Sequence, residues 1–570
     1  MDLAKLPSDL LQDVLLRAAR GATAYRVADL LSVCKLFRCE IKNCCANHAT
    51  HARPDVDQPL KLQDCSALTS LVVDNRWTSL ITRQCARSGA AVALQALTSL
   101  TVQMPGCGLW EAGSDFWEAT WCEIERIIKR APALAVVVLK NAPNTLLTCL
   151  GSLHALTSLK FSNTWCDGFE SGAAFRALTE LLNSIMHLNA LQHLQLSCCG
   201  CHQLPNSIGR LTALQMLSLS GSVLDELPDS IGTLTALQTL YLSNCDQLRG
   251  LPNSIGQLAA LTMLDFYCCY PNSGYCGSLT SLPDSIGQLA ALEILRLGGQ
   301  IHLVGLPNSF GYLSALQTLD LSGCRGLEEL PDSIGELAAL QTLNLYKCNR
   351  LEGLPNSIGK LVALQMLNLS ACKRLAVLPD SIGELAALQE MDLSNCEHLA
   401  GLPDSIGKLA ALQTLDLGCW HCPSSLTYVP DSIGQLAALE FLRLGGQAHL
   451  VGLPDSIGRL TALQTLDLSH CSDLVELPDS IGHLTALQTL DLSECSHLVG
   501  LPDSIGHLTA LQSLNLTGCF DLVGLPNSIG QMLALTQLNL ESYTVHSIDL
   551  PDSIRQLAAL EIHVPNIDWF

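Results

Sequence analysis

From Leu204 onward one block of residues repeats, marked by a proline that follows a leucine or valine. The proline recurs at 205, 228, 252, 283, 307, 331, 355, 379, 403, 430, 454, 478, 502, 526 and 551, most often 24 residues apart. Residues 330–352, LPDSIGELAALQTLNLYKCNRLE, show the block without interruption. A fixed period in the twenties leaves a chain few folds. One block is too short to bury its own apolar face, whereas stacked blocks bury a continuous core.

The block reads as chemistry. Leu340, Leu343 and Leu345 form LxxLxL, a short strand with alternate side chains inward. Leu330, Ile334, Leu337, Cys348 and Leu351 supply further inward positions. Pro331 has no backbone donor and suits a turn. Asp332 and Ser333 are expected to bond nearby backbone N–H groups and start a helical turn. Gly335 is expected to permit a conformation that bulkier residues resist. Seventeen residues after the proline stand Cys245, Cys269, Cys324, Cys348, Cys372, Cys396, Cys471, Cys495 and Cys519, with Gln300, Gln447 and Trp420 in the same slot of other blocks. These thiols are expected to be buried and unpaired, as in a reducing compartment.

LxxLxL followed by an Asn-or-Cys position resembles the leucine-rich repeat family, and the LPxSIGxLxxLxxLxL form is similar to its plant-type members. The resemblance implies an α/β fold class: a leucine-rich repeat solenoid, a curved horseshoe with a parallel sheet on its concave face, and with a small helical N-terminal module. Four regions are expected. They are an N-terminal module over 1–48, degenerate repeats over 60–200, regular repeats over 201–547 and a C-terminal cap over 548–570.

In the degenerate part, Leu68/Leu71/Val73, Leu97/Leu100/Val102, Leu134/Val137/Leu139, Leu156/Leu159/Phe161 and Leu191/Leu194/Leu196 each read as a strand. Residues 110–130 read as an amphipathic helix. The regular part carries an internal duplication. LEILRLGGQIHLVGLP at 292–307 and LEFLRLGGQAHLVGLP at 439–454 both follow a block with an insertion, at 267–281 and 418–427. In the last block Arg555 replaces the usual glycine.

Residues 1–48 differ from the rest. Leu10, Leu11, Val14, Leu15 and Ala18 share one helical face, and Val27, Leu30, Leu31, Cys34, Phe37 and Ile41 another. Leu6-Pro7, Leu10, Val14-Leu15, Leu31, Val33-Cys34-Lys35 and Phe37-Arg38 resemble an F-box. That resemblance implies docking to the adaptor subunit of an SCF ubiquitin ligase through Leu6, Pro7, Leu10, Val14, Leu15, Val33, Cys34 and Phe37. The other reading of this segment is a plain cap over the first repeat.

The formal charge of −22 argues against a nucleic-acid or anionic-membrane partner, since both need basic patches. No apolar run reaches the length of a membrane span, and the start MDLAKLPSDLLQDVLLR lacks a signal-peptide core. Cytoplasmic or nuclear residence is the expectation. Asn368-Leu-Ser370 and Asn515-Leu-Thr517 match a glycosylation pattern but fall on expected strands. No phosphate-binding loop, HExxH or GxSxG is present, so no enzyme and no cofactor are expected. Cys198/Cys201 with His202, and Cys419/Cys422 with His421, are CxxC pairs with metal or redox chemistry as one reading and repeat-slot thiols as the other.

The face between the inward leucines is the candidate site. Its central column includes Tyr241, Asp265, Arg296, Asp320, Asn344, Asn368, Asp392, Asp416, Arg443, Asp467 and Asp491, with Trp420 nearby. An acidic, polar column fits a basic or polar protein segment. Tyr241, Arg296, Arg443 and Trp420 break the column and are the expected contact points. Two function classes follow: an F-box substrate receptor, or an intracellular repeat scaffold or sensor without a ligase role. An enzyme built on a loop cysteine is a third.

Overall fold

Every proline block opens on the same local structure, an extended proline followed by a five-residue 3₁₀ turn. The structure, a computed structural model, describes residues 70–74, 97–103, 124–125, 127–129, 131–140, 149–162, 183–197, 202–268, 277–419, 425–541, 550–557 and 559–563. In the block at 331, Pro331 is extended at φ −68 and ψ 151, and a 3₁₀ turn runs over Asp332–Glu336. The Ile334 N–H then bonds the Pro331 carbonyl, Leu337 bonds Ile334, and Leu340 bonds Leu337. After the strand, Cys348 bonds Leu345 and Leu351 bonds Cys348 in the same way. Three residues per turn bring every third side chain to one side. That geometry turns Ile334, Leu337, Leu340, Leu343, Leu345, Cys348 and Leu351 inward, each 0% exposed.

Of the α/β expectation, the parallel sheet is present, while the connections are shorter than helices. The connections of the regular blocks are five-residue 3₁₀ turns, and among the described residues α-helix is confined to 183–185 and to a stretch at 124–125 and 127–129. A block of 24 residues that must also supply a strand and two reversals leaves no room for the ten or more residues of a stable helix. Ile124 and Ile128 in that helical stretch are buried, as expected for its apolar side. The cap expectation is corrected. No side chain bonds the start of the turn at 332. The Ser333 hydroxyl is buried without a hydrogen bond, as are its counterparts at 357, 381 and 405.

The chain divides into two compact units, Met1–Leu261 and Thr262–Phe570. In the first, β1 (Ser70–Asp74), β2 (Ser99–Gln103), β3 (Val136–Lys140), β4 (Ser158–Ser162), β5 (His193–Ser197), β6 (Met216–Ser218) and β7 (Thr239–Tyr241) pair in order, all parallel. All five degenerate motifs are strands, and Leu100, Val137, Leu159 and Leu194 are buried. In the second unit the ladder runs from β8 (Met263–Asp265) through β9 (Ile294–Arg296), β10 (Thr318–Asp320) and β11 (Thr342–Asn344) to β20 (Glu561–His563). Register is one to one: Leu343 stands beside Leu319 on one side and Leu367 on the other.

Two further features hold neighbouring blocks together. Each described cysteine of the slot donates its thiol to a carbonyl of the preceding block, as Cys348 does to Leu321 at 3.3 Å and Cys372 to Leu345 at 3.2 Å. Gln300 takes over the donation with its amide, to Phe266 at 2.7 Å, and Gln447 does so to Leu417. Ser222 does the same to Leu196 at 3.4 Å. The slot therefore demands a donor of suitable reach. Secondly, the residue just before the slot adopts a left-handed conformation, as at Lys347 (φ 58), Ala371 (φ 57), Gly323 (φ 70) and Gly518 (φ 73).

Gly335 has a different role from the one expected. It is absent from the positive-φ residues. A methyl group at Gly335 would run into the Ser357 carbonyl oxygen and lie 2.8 Å from the Ser357 Cβ. The glycine is there because the next block packs directly on it.

Candidate functional site

Strand residues between inward leucines form the outward face of the sheet, and the central column lies on it. Its acidic and amide side chains are not free ends. Asp320 Oδ1 accepts the Ser322 backbone N–H at 2.9 Å, and Asn344 Oδ1 that of Tyr346 at 3.1 Å. Asp265, Asn368, Asp392, Asp416, Asp467 and Asp491 make the same bond to the N–H two residues on. The chain leaves the sheet here, so that N–H has no strand partner, and a short carboxylate or amide caps it locally. Where the column carries Asp or Asn, that residue thus serves the turn. Asp265 and Asp467 are buried, at 7% and 8% exposure.

Each of these side chains keeps a second polar atom on the face, and Arg443 shows what it can accept. Arg443 stands in β15 (Phe441–Arg443), between β14 (Thr414–Asp416) and β16 (Thr465–Asp467). Its Nη1 reaches Asp416 Oδ2 at 2.8 Å and its Nε reaches Asp467 Oδ2 at 3.1 Å. The guanidinium also lies 5.2 Å from the centre of the Phe441 ring. Burial pushes the Asp416 carboxyl up, while the Gly418 N–H and Arg443 pull the other way. Arg296, the duplicate of Arg443, is held loosely: its Nη1 is 3.8 Å from Asp265 Oδ2 and its side chain is 45% exposed. The two arginines, equivalent in sequence, differ in how far they are available to a partner.

Tyr241 lies half-buried on β7, in the first unit. Trp420 lies outside the described residues, as do Leu6, Pro7, Leu10, Val14, Leu15, Val33, Cys34 and Phe37. Of the CxxC residues, Cys198, Cys201, His421 and Cys422 are also outside. His202 faces Asp225 at 3.5 Å. Cys419 is buried and disulfide-bonded. The slot thiols Cys245, Cys324, Cys348, Cys372, Cys396, Cys471, Cys495 and Cys519 form no disulfide and are buried. Burial pushes Cys324, Cys396, Cys471 and Cys519 up to about 12. Among the described residues no group of three or more His, Cys, Asp or Glu is placed to hold a metal ion. Nor is any helix there long and apolar enough to cross a membrane.

A family model described as a leucine-rich repeat region matches residues 180–282, 319–401 and 469–568, half of the chain. The chain belongs to the leucine-rich repeat family. Among solved structures, it is similar to a leucine-rich repeat protein of Leptospira interrogans. The two share 29% identity over 77% of this chain and 97% of that one, with a TM-score of 0.54. It is also similar in fold to the Drosophila Toll–Spatzle complex, at 17% identity over 85% of this chain and 62% of that one, with a TM-score of 0.56. No curated protein matches the chain. The column of this leucine-rich repeat chain was visible in the sequence, but its tie to the turn was not. The signal was there in the Ser, Thr or Gly that stands two residues after most of the column's acids and amides.

Proposed function

We propose that this leucine-rich repeat chain is a protein-binding receptor. A target lies on the outward face of its parallel sheet, and residues 1–48 deliver it to the adaptor of an SCF ubiquitin ligase. The observation that carries the first half is the Arg443 clamp. Oδ2 atoms of neighbouring column carboxylates accept a guanidinium between strands, so the column is chemically fitted to arginine or lysine side chains of an extended basic segment. Repeat arrays of this kind present long binding faces. The second half rests on the F-box-like residues Leu6-Pro7, Val33-Cys34-Lys35 and Phe37-Arg38.

The test is affinity purification of the full chain and of the chain lacking residues 1–48, with the adaptor identified by mass spectrometry. The full chain is expected to recover the adaptor. Leu6→Ala, Pro7→Ala, Val33→Ala and Phe37→Ala together are expected to lose it, while thermal melting of the repeats stays the same. Failure of the full chain to recover any adaptor would leave a repeat scaffold and end the ligase reading.

A further inference from the structure

Three residues before each proline a side chain projects outward, and in four consecutive repeats it is valine. Val451, Val475, Val499 and Val523 are 59%, 42%, 50% and 73% exposed. They are held in line by a second parallel ladder. The Val475 N–H bonds the Val451 carbonyl at 3.4 Å, Val499 bonds Val475 at 3.1 Å and Val523 bonds Val499 at 3.1 Å. Beside them Gly452 and Gly500 have no atom within 4 Å of where a Cβ would stand, so the strip is open to close approach. The earlier segment of the duplication keeps the ladder and the first valine, Val304 at 51% exposure, but not the next two. There Glu328 and Glu352 take the position and pair with Arg350 at 3.1 Å and Arg374 at 3.6 Å. Exposed valine is therefore not a demand of the repeat.

Two residues before each valine, at the end of the preceding turn, stand His449, Asp473, His497 and Asp521, with His449, His497 and Asp521 exposed and Asp473 half-buried. The buried Leu450, Leu474, Leu498 and Leu522 separate the two columns. The alternation already pairs side chains within the chain, His449 Nδ1 lying 3.1 Å from Asp473 Oδ2. It has a second property. Turned end for end, the order His, Asp, His, Asp meets its own complement.

We propose that this strip is a self-association surface, on which a second copy of the chain packs antiparallel about a two-fold axis between the Val475 and Val499 repeats. An isologous contact needs a patch that complements itself after that rotation. Here Val451 meets Val523 and Val475 meets Val499. In the neighbouring column His449 meets Asp521 and Asp473 meets His497. Every apolar position faces an apolar one and every carboxylate faces an imidazole. The strip is narrow, so the dimer is a weak one.

The experiment is analytical ultracentrifugation of the full chain under reducing conditions, over the micromolar to millimolar range. A reversible monomer–dimer equilibrium is expected. Val475→Lys with Val499→Lys is expected to weaken it about tenfold or more, with an unchanged circular-dichroism melt as the control for folding. His449→Asp with His497→Asp makes an all-carboxylate column that repels itself, and this variant is expected to stay monomeric. Asp473→His with Asp521→His removes the acceptors and is expected to do the same. An equimolar mixture of those two variants is expected to dimerise again. A wild-type chain that stays monomeric throughout, a dimer indifferent to the two lysines, or a mixture that fails to associate would each overturn the proposal.

Discussion

Gly335 and Ser357 touch across a repeat boundary, so closely that any Cβ on the glycine would overlap the Ser357 carbonyl oxygen. The same contact recurs between Gly359 and Ser381 and between Gly383 and Ser405. It explains Arg555. Arg555 takes the glycine position of its block, and its side chain is 84% exposed rather than covered by a serine of another block. Gly335→Ala is expected to cost about 1–3 kcal/mol through overpacking, read as a lower urea midpoint. Arg555→Gly is expected to stay within about 0.5 kcal/mol of the parent.

Arg443 and Arg296 are expected to respond differently to the same change. Arg443→Ala leaves Asp416 and Asp467 without their cation on a face where both carboxylates are largely buried. The arginine is itself one-third exposed, so a loss of about 2 kcal/mol is expected, below the range for a fully buried pair. Arg296→Ala breaks only a 3.8 Å contact of an exposed side chain and is expected to cost about 0.5 kcal/mol or less. Paired thermal melts check both. Equal losses would mean that the Arg443 clamp contributes nothing.

The left-handed position offers a matched pair. Ala371 holds φ 57 with a Cβ, while Gly323 holds φ 70 without one, and a Cβ there would meet only ordinary contacts at 3.5 Å. The left-handed region costs a residue with a Cβ about 1–2 kcal/mol. Ala371→Gly is therefore expected to stabilise by about 1 kcal/mol, less than the full strain because glycine also loosens the unfolded chain. Gly323→Ala is expected to destabilise by a similar amount. Denaturant midpoints of opposite sign are the check.

The buried thiols make stability fall in alkali. Burial raises Cys324, Cys396, Cys471 and Cys519 from 9.0 to about 12, and raises Cys348, Cys372 and Cys495 too. An acid whose folded pKa is raised binds more protons in the native state between the two values. Its stabilising contribution is complete below pH 9 and is lost as pH rises from there toward 12, at about 1.4 kcal/mol per thiol per pH unit. Urea midpoints are expected to hold below pH 9 and fall steadily above it. Iodoacetamide should label these cysteines only as the protein unfolds. Rapid native labelling at Cys348 would show that the slot opens to solvent.

The inward half of the molecule was legible in the sequence because its rule is local. Leu340, Leu343 and Leu345 declare a strand by their own spacing, and their burial follows once blocks stack. The degenerate strands were found by the same pattern, Leu100 with Val102 and Leu159 with Phe161 among them. The cysteine slot was legible as buried, and the donors Gln300 and Gln447 followed it.

The outward half depended on contacts between residues of different blocks. Gly335 looked like a conformational residue until Ser357 was seen against it. Asp320 and its column read as wholly outward carboxylates and amides, whereas their Oδ1 atoms cap the turn and only the second polar atom is left for a partner. Arg296 and Arg443 occupy equivalent positions in near-identical segments, yet Arg443 closes on both flanking carboxylates and Arg296 does not. The sequence by itself determined the period, the parallel register and which side chains point inward, because burying one apolar face per block admits a single stacking. The tertiary structure decided which outward groups remain available to a partner. Each of those groups is set by neighbours 24 to 27 positions away, whose reach and geometry only the folded stack defines.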